Sequence, residues 1–253
     1  MNLTESARSL LERAVATRGF TLRPSGMPPR GFQDFLALYN RFAPAPQVVF
    51  DIGVGTGTPW LYEAFPEAHL VLIEPLRDFE PQIAEVLKTY RGECHYCALA
   101  EAEGELTLHV PRGGATGSSL LQRTPDWADY MTAKGDAGTE PRTVQVSTLD
   151  RIAAAVTGSH VVKIDVEGAE LHVMRGGRAC IAGADMVIVE TAVAPRHSGE
   201  SDFLDVGHHL KGEGFVLADI VEMATFGPHR LLAYVDAVFV RADNPFLQRA
   251  RAG

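Results

Sequence analysis

Asp51, Gly53, Gly55, Gly57 and Glu74 have the types and spacing of a small-molecule cradle. From Val48 to Pro75 the chain reads VVFDIGVGTGTPWLYEAFPEAHLVLIEP. One apolar run ends in Asp51, three glycines follow at alternate positions, and a second apolar run ends in Glu74. Glycines between a strand and a helix let backbone approach a ligand closely. An acid that closes the second strand is placed to bond a ribose diol. The dinucleotide fingerprint G-x-G-x-x-G is met only in part: Gly53 and Gly55 fit, but Thr58 stands at the third glycine position. The pattern is instead D-x-G-x-G-x-G, with the acid ahead of the glycines. A pyrophosphate would be poorly served by that acid, and a ligand carrying an ammonium and a sulfonium would be well served. The plain alternative is a glycine turn without a ligand.

Further groups with chemical capacity fall at strand ends. Asp165 and Glu190 close two apolar runs and could hold a divalent cation through their oxygens. Arg196 and His197 follow the second of these runs, and His229 and Arg230 lie in the turn between the last two predicted strands. In open α/β sheets ligands bind outside the carboxyl ends of the strands. That rule selects Asp51, Glu74, Asp165 and Glu190, with His197 and His229 as the histidines placed to act as a general base. His69 and His160 precede their strands and belong to the opposite edge, while His172, His208 and His209 fall on helices and read as structural. Lys163 reads as an ion-pair partner for an acid. Glu167 and Glu170 flank a helix start and suit its dipole, and Glu167 is also within reach of substrate.

The elements that must position these groups alternate. Apolar spacing predicts helices over Leu3–Arg18 and Phe32–Phe42, separated by a proline-rich break. The apolar face of the second includes Tyr39, and Tyr39 or Arg30 is a candidate to reach substrate. Helix follows over Arg77–Tyr90, then strand over Glu93–Leu99 and an alternating strand over Glu105–Val110. Pro111–Pro141 reads as a long irregular segment holding Trp127 and Tyr130, and loops of that length in a compact domain are usually functional. A lid over substrate is expected there. Short strands at Thr143–Val146, His160–Asp165 and Asp185–Glu190 follow, with helices starting near Ser147 and spanning Gly168–Gly176 and Ser201–Glu213. The last strands, Gly214–Val221 and Tyr234–Arg241, leave no room for a crossover helix and predict an antiparallel hairpin. The fold class is α/β: a Rossmann-like three-layer sandwich around a mostly parallel seven-stranded sheet with an antiparallel terminal β-hairpin. Residues 1–46 read as an N-terminal helical extension or cap, and residues 47–253 as the ligand-binding domain.

Composition narrows the function classes. A formal net charge of −9 argues against broad electrostatic binding to nucleic acid or anionic membrane. No run reaches transmembrane length and no signal peptide is evident, so a cytoplasmic location is expected. Three cysteines, Cys94, Cys97 and Cys180, suit a reducing compartment. Cys94-His-Tyr-Cys97 mimics half a zinc site, but there is no second cysteine pair, and on a strand these two would face opposite sides.

The glycine loop resembles motif I of the class I S-adenosylmethionine (SAM) dependent methyltransferases. The resemblance becomes specific at KIDVEGAE over 163–170, followed by Gly176-Gly177, which is similar to the signature of FkbM-type methyltransferases. Ala98 with Gly104, Ser118-Ser119-Leu120, Ser147 to Asp150 and Val189-Glu190 extend it across residues 47 to 241. The resemblance implies the methyltransferase strand order and a cofactor map. Gly53 and Gly55 line the methionine and ribose, Glu74 binds the ribose hydroxyls, and Cys97-Ala98-Leu99 border the adenine. Asp165 faces the methyl-donor end, and Asp51 belongs to the donor site. The expected activity is SAM-dependent O-methylation of a hydroxyl on a sugar, glycan or natural-product acceptor. Asp165, His229 and His197 are its catalytic candidates, and Asp165 with Glu190 is the candidate site for a divalent cation. The partner is a small-molecule or glycan acceptor, and a homodimer is compatible with the sequence. Rival readings are a non-catalytic SAM-binding scaffold and a nicotinamide dehydrogenase, which would need the missing third glycine. An N-methyltransferase is disfavoured because no Asn/Asp-Pro-Pro-aromatic motif follows the strand that ends in Asp165.

Overall fold

The computed structural model describes residues 30–226 and 231–252. The helix expected over Leu3–Arg18 lies outside them. The sheet begins with the two strands of the glycine stretch, β1 (Val48–Ile52) and β2 (His69–Ile73), joined by helix α2 (Pro59–Ala64). A preceding helix, α1, covers Phe32–Phe42. Every residue of β1 is buried, as expected of a parallel strand covered on both faces. Its side chains alternate between two cores. Val49 joins one apolar cluster, and Val48, Phe50 and Ile52 join the other.

A 3-10 turn (Arg77–Phe79) and α3 (Glu80–Thr89) lead to β3 (Gly92–His95). The predicted single strand Glu93–Leu99 is in fact two. After His95 the chain turns, Cys97 N donating to His95 O at 3.1 Å, and Ala98–Leu99 form β4 in a different sheet. No glycine or proline marks that turn in the sequence. The second sheet has three strands in the order β4-β6-β5, with β5 at Gly104–Pro111 and β6 at Thr139–Ser147. The stretch Pro111–Pro141 is therefore less irregular than expected. It contains helix α4 (Pro125–Ala133), capped by Thr124 Oγ1 accepting from Trp127 N, and the first residues of β6.

The remaining units are α5 (Leu149–Ala153), β7 (His160–Ile164), α6 (Glu170–Gly176), α7 (Arg178–Gly183) and β8 (Met186–Ala192). They are followed by α8 (Phe203–Gly212), β9 (Phe215–Phe226), β10 (Leu231–Arg241) and α9 (Pro245–Ala252). The main sheet has seven strands in the order β3-β2-β1-β7-β8-β10-β9. β10 is antiparallel to both of its neighbours, and the pairs among β3, β2, β1, β7 and β8 are parallel. The sheet is thus mostly parallel and ends in an antiparallel hairpin. The strand order reverses beside β1, which lies between β2 and β7. That is the position at which open α/β sheets bind ligands.

Helix α1 packs on α2 and α9. Tyr39 is buried, and its hydroxyl accepts from Asn244 Nδ2 at 3.2 Å. Arg30 pairs with Asp219 on β9 at 2.7 Å. Neither reaches the ligand cavity, so the expectation that one of them approaches substrate is corrected. Both are used in docking α1 to the body of the protein. The residue of α1 that does line the cavity is Phe32, stacked on Trp60 of α2 with ring centroids 3.9 Å apart.

Candidate functional site

A cavity of about 430 Å³ opens above the carboxyl ends of β1, β2, β7 and β8. Its floor is the glycine loop. Gly53 N donates to Ile73 O and Asp165 N to Ile52 O, both at 2.9 Å, so the loop is wedged between the ends of β2 and β7. Gly53 has φ +80, and a Cβ placed on it would lie 1.7 Å from Asp165 O. Only glycine fits that close approach. Gly55 has φ +51, and a Cβ there would meet nothing within 4 Å. Its open side is therefore free for a ligand to lie against the backbone.

Glu74 ends β2 at the cavity wall. Its Oε2 accepts from Gly55 N and its Oε1 from Leu76 N, each at 2.9 Å. Burial raises its pKa, opposed by those two backbone donors and by Lys163. Each carboxylate oxygen keeps a lone pair for a diol. Cys97, Ala98 and Leu99 line the neighbouring wall, where an adenine was expected. Ala115 to Ser118 and Leu120 form the facing wall. That segment is stitched down. Ser119 Oγ donates to Glu167 O at 2.6 Å, and the backbones of His109 and Ser119 exchange two hydrogen bonds. The lid expectation thus falls on a short stretch. Trp127 and Tyr130 are not part of the cavity wall; they stack on each other and pack against Phe226 of β9.

Asp51 is placed differently from the expectation. It is fully buried beneath the loop and does not line the cavity. The Tyr62 hydroxyl donates to its Oδ2, and Lys163 Nζ sits 3.3 Å from its Oδ1. Lys163 Nζ also lies 3.2 Å from Asp165 Oδ2 and donates to Gly53 O at 3.1 Å. Burial alone would lower the pKa of Lys163, but the charges of Asp165 and Asp51 outweigh it and hold the ammonium above its ordinary range. Register explains the group: Asp51 and Lys163 are paired residues on neighbouring β1 and β7. Sequence reading treated Lys163 as an ion-pair partner but did not see that it organises the floor.

The other end of the cavity is acidic. Asp165, Glu167, Glu190, Glu222 and Asp236 line it together with Tyr234. Glu167 is the sole non-glycine residue with positive φ among the described residues, at +55. A non-glycine residue in that region is uncommon, and such strain clusters at ligand sites. Arg196 gathers the acids from behind. Its Nη1 lies 3.3 Å from Glu167 Oε2, its Nη2 donates to Glu190 Oε1 at 3.0 Å, and its guanidinium stacks over the Tyr234 ring at 4.7 Å. Burial, followed by the charges of Asp165 and Glu167, pushes Glu190 up to about 9, with Arg196 opposing. Burial pushes Asp236 up to about 7, with Asp165 and Glu222 adding to the shift.

Asp165 and Glu190, the candidate cation ligands, are brought together with Glu167. One oxygen from each of the three lies within 4.8 Å of the others. The chemistry of that donor set suits a hard cation, but Arg196 already supplies countercharge to two of the three. Among the described residues no group of three metal-ligating side chains includes Cys94 or Cys97.

The histidines fare unevenly. His197 is buried and does not line the cavity; its backbone N donates to Glu200 Oε2 at 2.8 Å and its Nδ1 lies 3.5 Å from Glu200 Oε1. His197 is therefore corrected to a position behind the acidic wall, where the tight turn before α8 holds it. His229 falls at 227–230, outside the described residues. His160 begins β7 at the far edge, between Gly158 O and Cys180 O, as its place in the sequence suggests. Asp236 and Glu222 were missed. The available signal was a lone acid in the apolar strand LLAYVDAVFV and another in IVEMAT.

A family model described as the methyltransferase FkbM domain matches residues 51–217, more than half of the chain. No curated protein matches the sequence. Among solved structures, magnesium protoporphyrin IX methyltransferase from Synechocystis PCC 6803 with bound SAM is similar at 12% identity and a TM-score of 0.44, covering 96% of this chain and 86% of that one. The 1,6-didemethyltoxoflavin-N1-methyltransferase from Burkholderia thailandensis is similar at 13% identity and a TM-score of 0.41, covering 96% and 92%.

Proposed function

The chain belongs to the FkbM methyltransferase family and is a SAM-dependent methyltransferase; from that premise we propose that it methylates a hydroxyl of a sugar, glycan or related natural-product acceptor. The observation that carries the donor side is the pairing of Gly55 with Glu74, open backbone beside a carboxylate fixed by two N–H groups. When bound, SAM supplies an electrophilic methyl group on a positively charged sulfur. Glu74 would hold its ribose hydroxyls, Gly53 and Gly55 would flank the methionine and ribose, and Cys97 to Leu99 would border the adenine. Asp51 acts one layer lower, fixing the loop through Tyr62 and Lys163.

Asp165 is the group we assign to the hydroxyl proton. It ends β7 at the cavity between the glycine loop and the acidic wall, and its side chain is one-third exposed toward the acceptor space. The acceptor oxygen must be aligned with the methyl carbon and sulfur, and such alignment can supply much of the barrier reduction. With SAM bound as the methyl donor, a carboxylate oxygen of Asp165 would accept the proton that the acceptor hydroxyl gives up as its oxygen takes the methyl group. A second reading, a divalent cation at Asp165, Glu167 and Glu190, is favoured by their mutual approach and opposed by Arg196.

Calorimetric titration with SAM and S-adenosylhomocysteine, beside NAD and NADP, tests the donor. Micromolar SAM binding without dinucleotide binding is expected, and dinucleotide binding would overturn the reading. Asp165→Asn should lower kcat by roughly 100-fold or more, the scale of general-base catalysis, with SAM affinity retained. An unchanged kcat removes Asp165 from that role. Activity abolished by chelator and restored by magnesium or manganese would establish the cation reading.

A further inference from the structure

Three acids stand side by side across the far half of the sheet. The register of β8 with β10 pairs Glu190 with Asp236, and that of β10 with β9 pairs Asp236 with Glu222. All three line the cavity. Acids directly opposite one another on antiparallel strands repel when ionised, and burial with that repulsion raises the pKa of Glu190 and Asp236, so a cation in the cavity would stabilise their ionised form. Glu190 has Arg196 at 3.0 Å. Asp236 is more than nine-tenths buried, at 8% exposure, and among the described residues its carboxylate has no hydrogen bond or ion pair. Glu222 has none either and stands exposed at the same wall. Lys163, whose charge acts on Asp236, is already held between Asp51 and Asp165.

Among the described residues no cation of the chain pairs with Asp236 or Glu222, and both face the cavity, where a ligand's cation would reach them. Among the described residues Asp236 and Glu222 belong to no group of three ligating side chains close enough to share a metal ion; the group so placed is Asp165, Glu167 and Glu190. An ammonium on a carbon skeleton does fit, because its three N–H donors can reach two separated carboxylates. We propose that the acceptor carries a protonated amine held by Asp236 and Glu222, which sets one of its hydroxyls toward Asp165. Amino sugars and aminocyclitols are the corresponding substrate class. The inference rests on the methyltransferase reading of this cavity. Asp236 and Glu222 are specificity residues here, and the amine is an anchor that leaves the enzyme unmethylated.

The test begins with SAM calorimetry, which examines the underlying reading alone. Amino sugars and aminocyclitols are then screened as matched pairs, each free amine beside its N-acetyl form, with S-adenosylhomocysteine formation as the readout. The expected result is turnover at least tenfold higher for the amines, giving O-methylated products by mass spectrometry and NMR. Asp236→Asn and Glu222→Gln should each collapse that amine preference through KM, with SAM affinity unchanged. Glu222 is exposed, so its variant keeps the test informative should Asp236→Asn fold poorly. With SAM bound normally, any of four outcomes overturns the proposal: equal turnover of the N-acetyl partners, N-methylated product, activity confined to neutral diols with added magnesium or manganese, or no turnover of any amine. Failure to bind SAM would instead sink the underlying reading.

Discussion

The two ends of the cavity treat negative charge in opposite ways. At the donor end every acid is answered by the chain. Glu74 is held by two backbone N–H groups, and Asp51 by Tyr62 and Lys163. At the other end Glu190, Asp236 and Glu222 face one another across three strands, and among the described residues only Glu190 has a cation of its own. The donor end is thus satisfied by the chain itself, while on the proposed reading the acids of the other end are answered by the ligand. A donor shared by a whole family can be met by a fixed cradle. An acceptor particular to one enzyme requires groups that are satisfied only by it.

The largest effect should come from breaking the donor end. Lys163→Ala leaves Asp51 and Asp165 without their shared cation in a buried place. Removing one partner of a buried ion pair costs about 3–5 kcal/mol, so thermal unfolding should show a severe loss. A variant as stable as the parent would mean that the acids protonate freely and that the floor is not held by charge. Next in size is Glu74→Gln, which turns one backbone N–H toward an amide N–H. Hydrogen bonds to a charged group contribute about 1.5–3 kcal/mol, so the SAM Kd should rise roughly 10- to 100-fold by calorimetry. Unchanged affinity would detach the ribose from this carboxylate.

Last, and sharpest for the comparison, is the pH dependence of stability at this acidic end. Asp236 holds its proton up to about pH 7 when folded, chiefly through burial, against an ordinary value of 3.8. The folded state therefore binds more protons than the unfolded state between those two values. Stability contributed by this group is lost as pH rises through that window. Asp236→Asn should leave stability nearly unchanged below pH 4 and raise it above pH 7, flattening the curve. Equal pH profiles for the two proteins would show that Asp236 keeps an ordinary carboxylate pKa in the fold.

Much of the fold can be read from the residues. The apolar runs of β1 and β7, each interrupted by a charged residue (Asp51, Lys163), mark buried parallel strands, and the short link before Tyr234 marks an antiparallel hairpin. The errors arose where punctuation residues are absent or crowded. ECHYCAL looks like one strand because nothing in it demands the turn at Tyr96 and Cys97 that sends Ala98 to a second sheet. Helix α4 lies in a segment whose glycines and prolines mask a good N-cap at Thr124.

The site divides the same way. Asp51, the glycines and Glu74 lie within one contiguous strand–loop–helix–strand unit, so their contacts follow from local chain geometry and were legible in order. That Asp51 sits below the loop was not, because Lys163 reaches it from β7. The row Glu190–Asp236–Glu222 joins residues far apart in sequence. It exists only through strand pairing, in a hairpin whose register shifts at Leu232/Tyr234 and at Asp236/Ala237. A one-residue slip would turn each side chain to the other face of the sheet. Sequence determined the donor and the reaction family, because backbone geometry near a glycine loop is local. Tertiary structure alone decided which acids meet at the acceptor end, because register is a property of paired strands and not of any one of them.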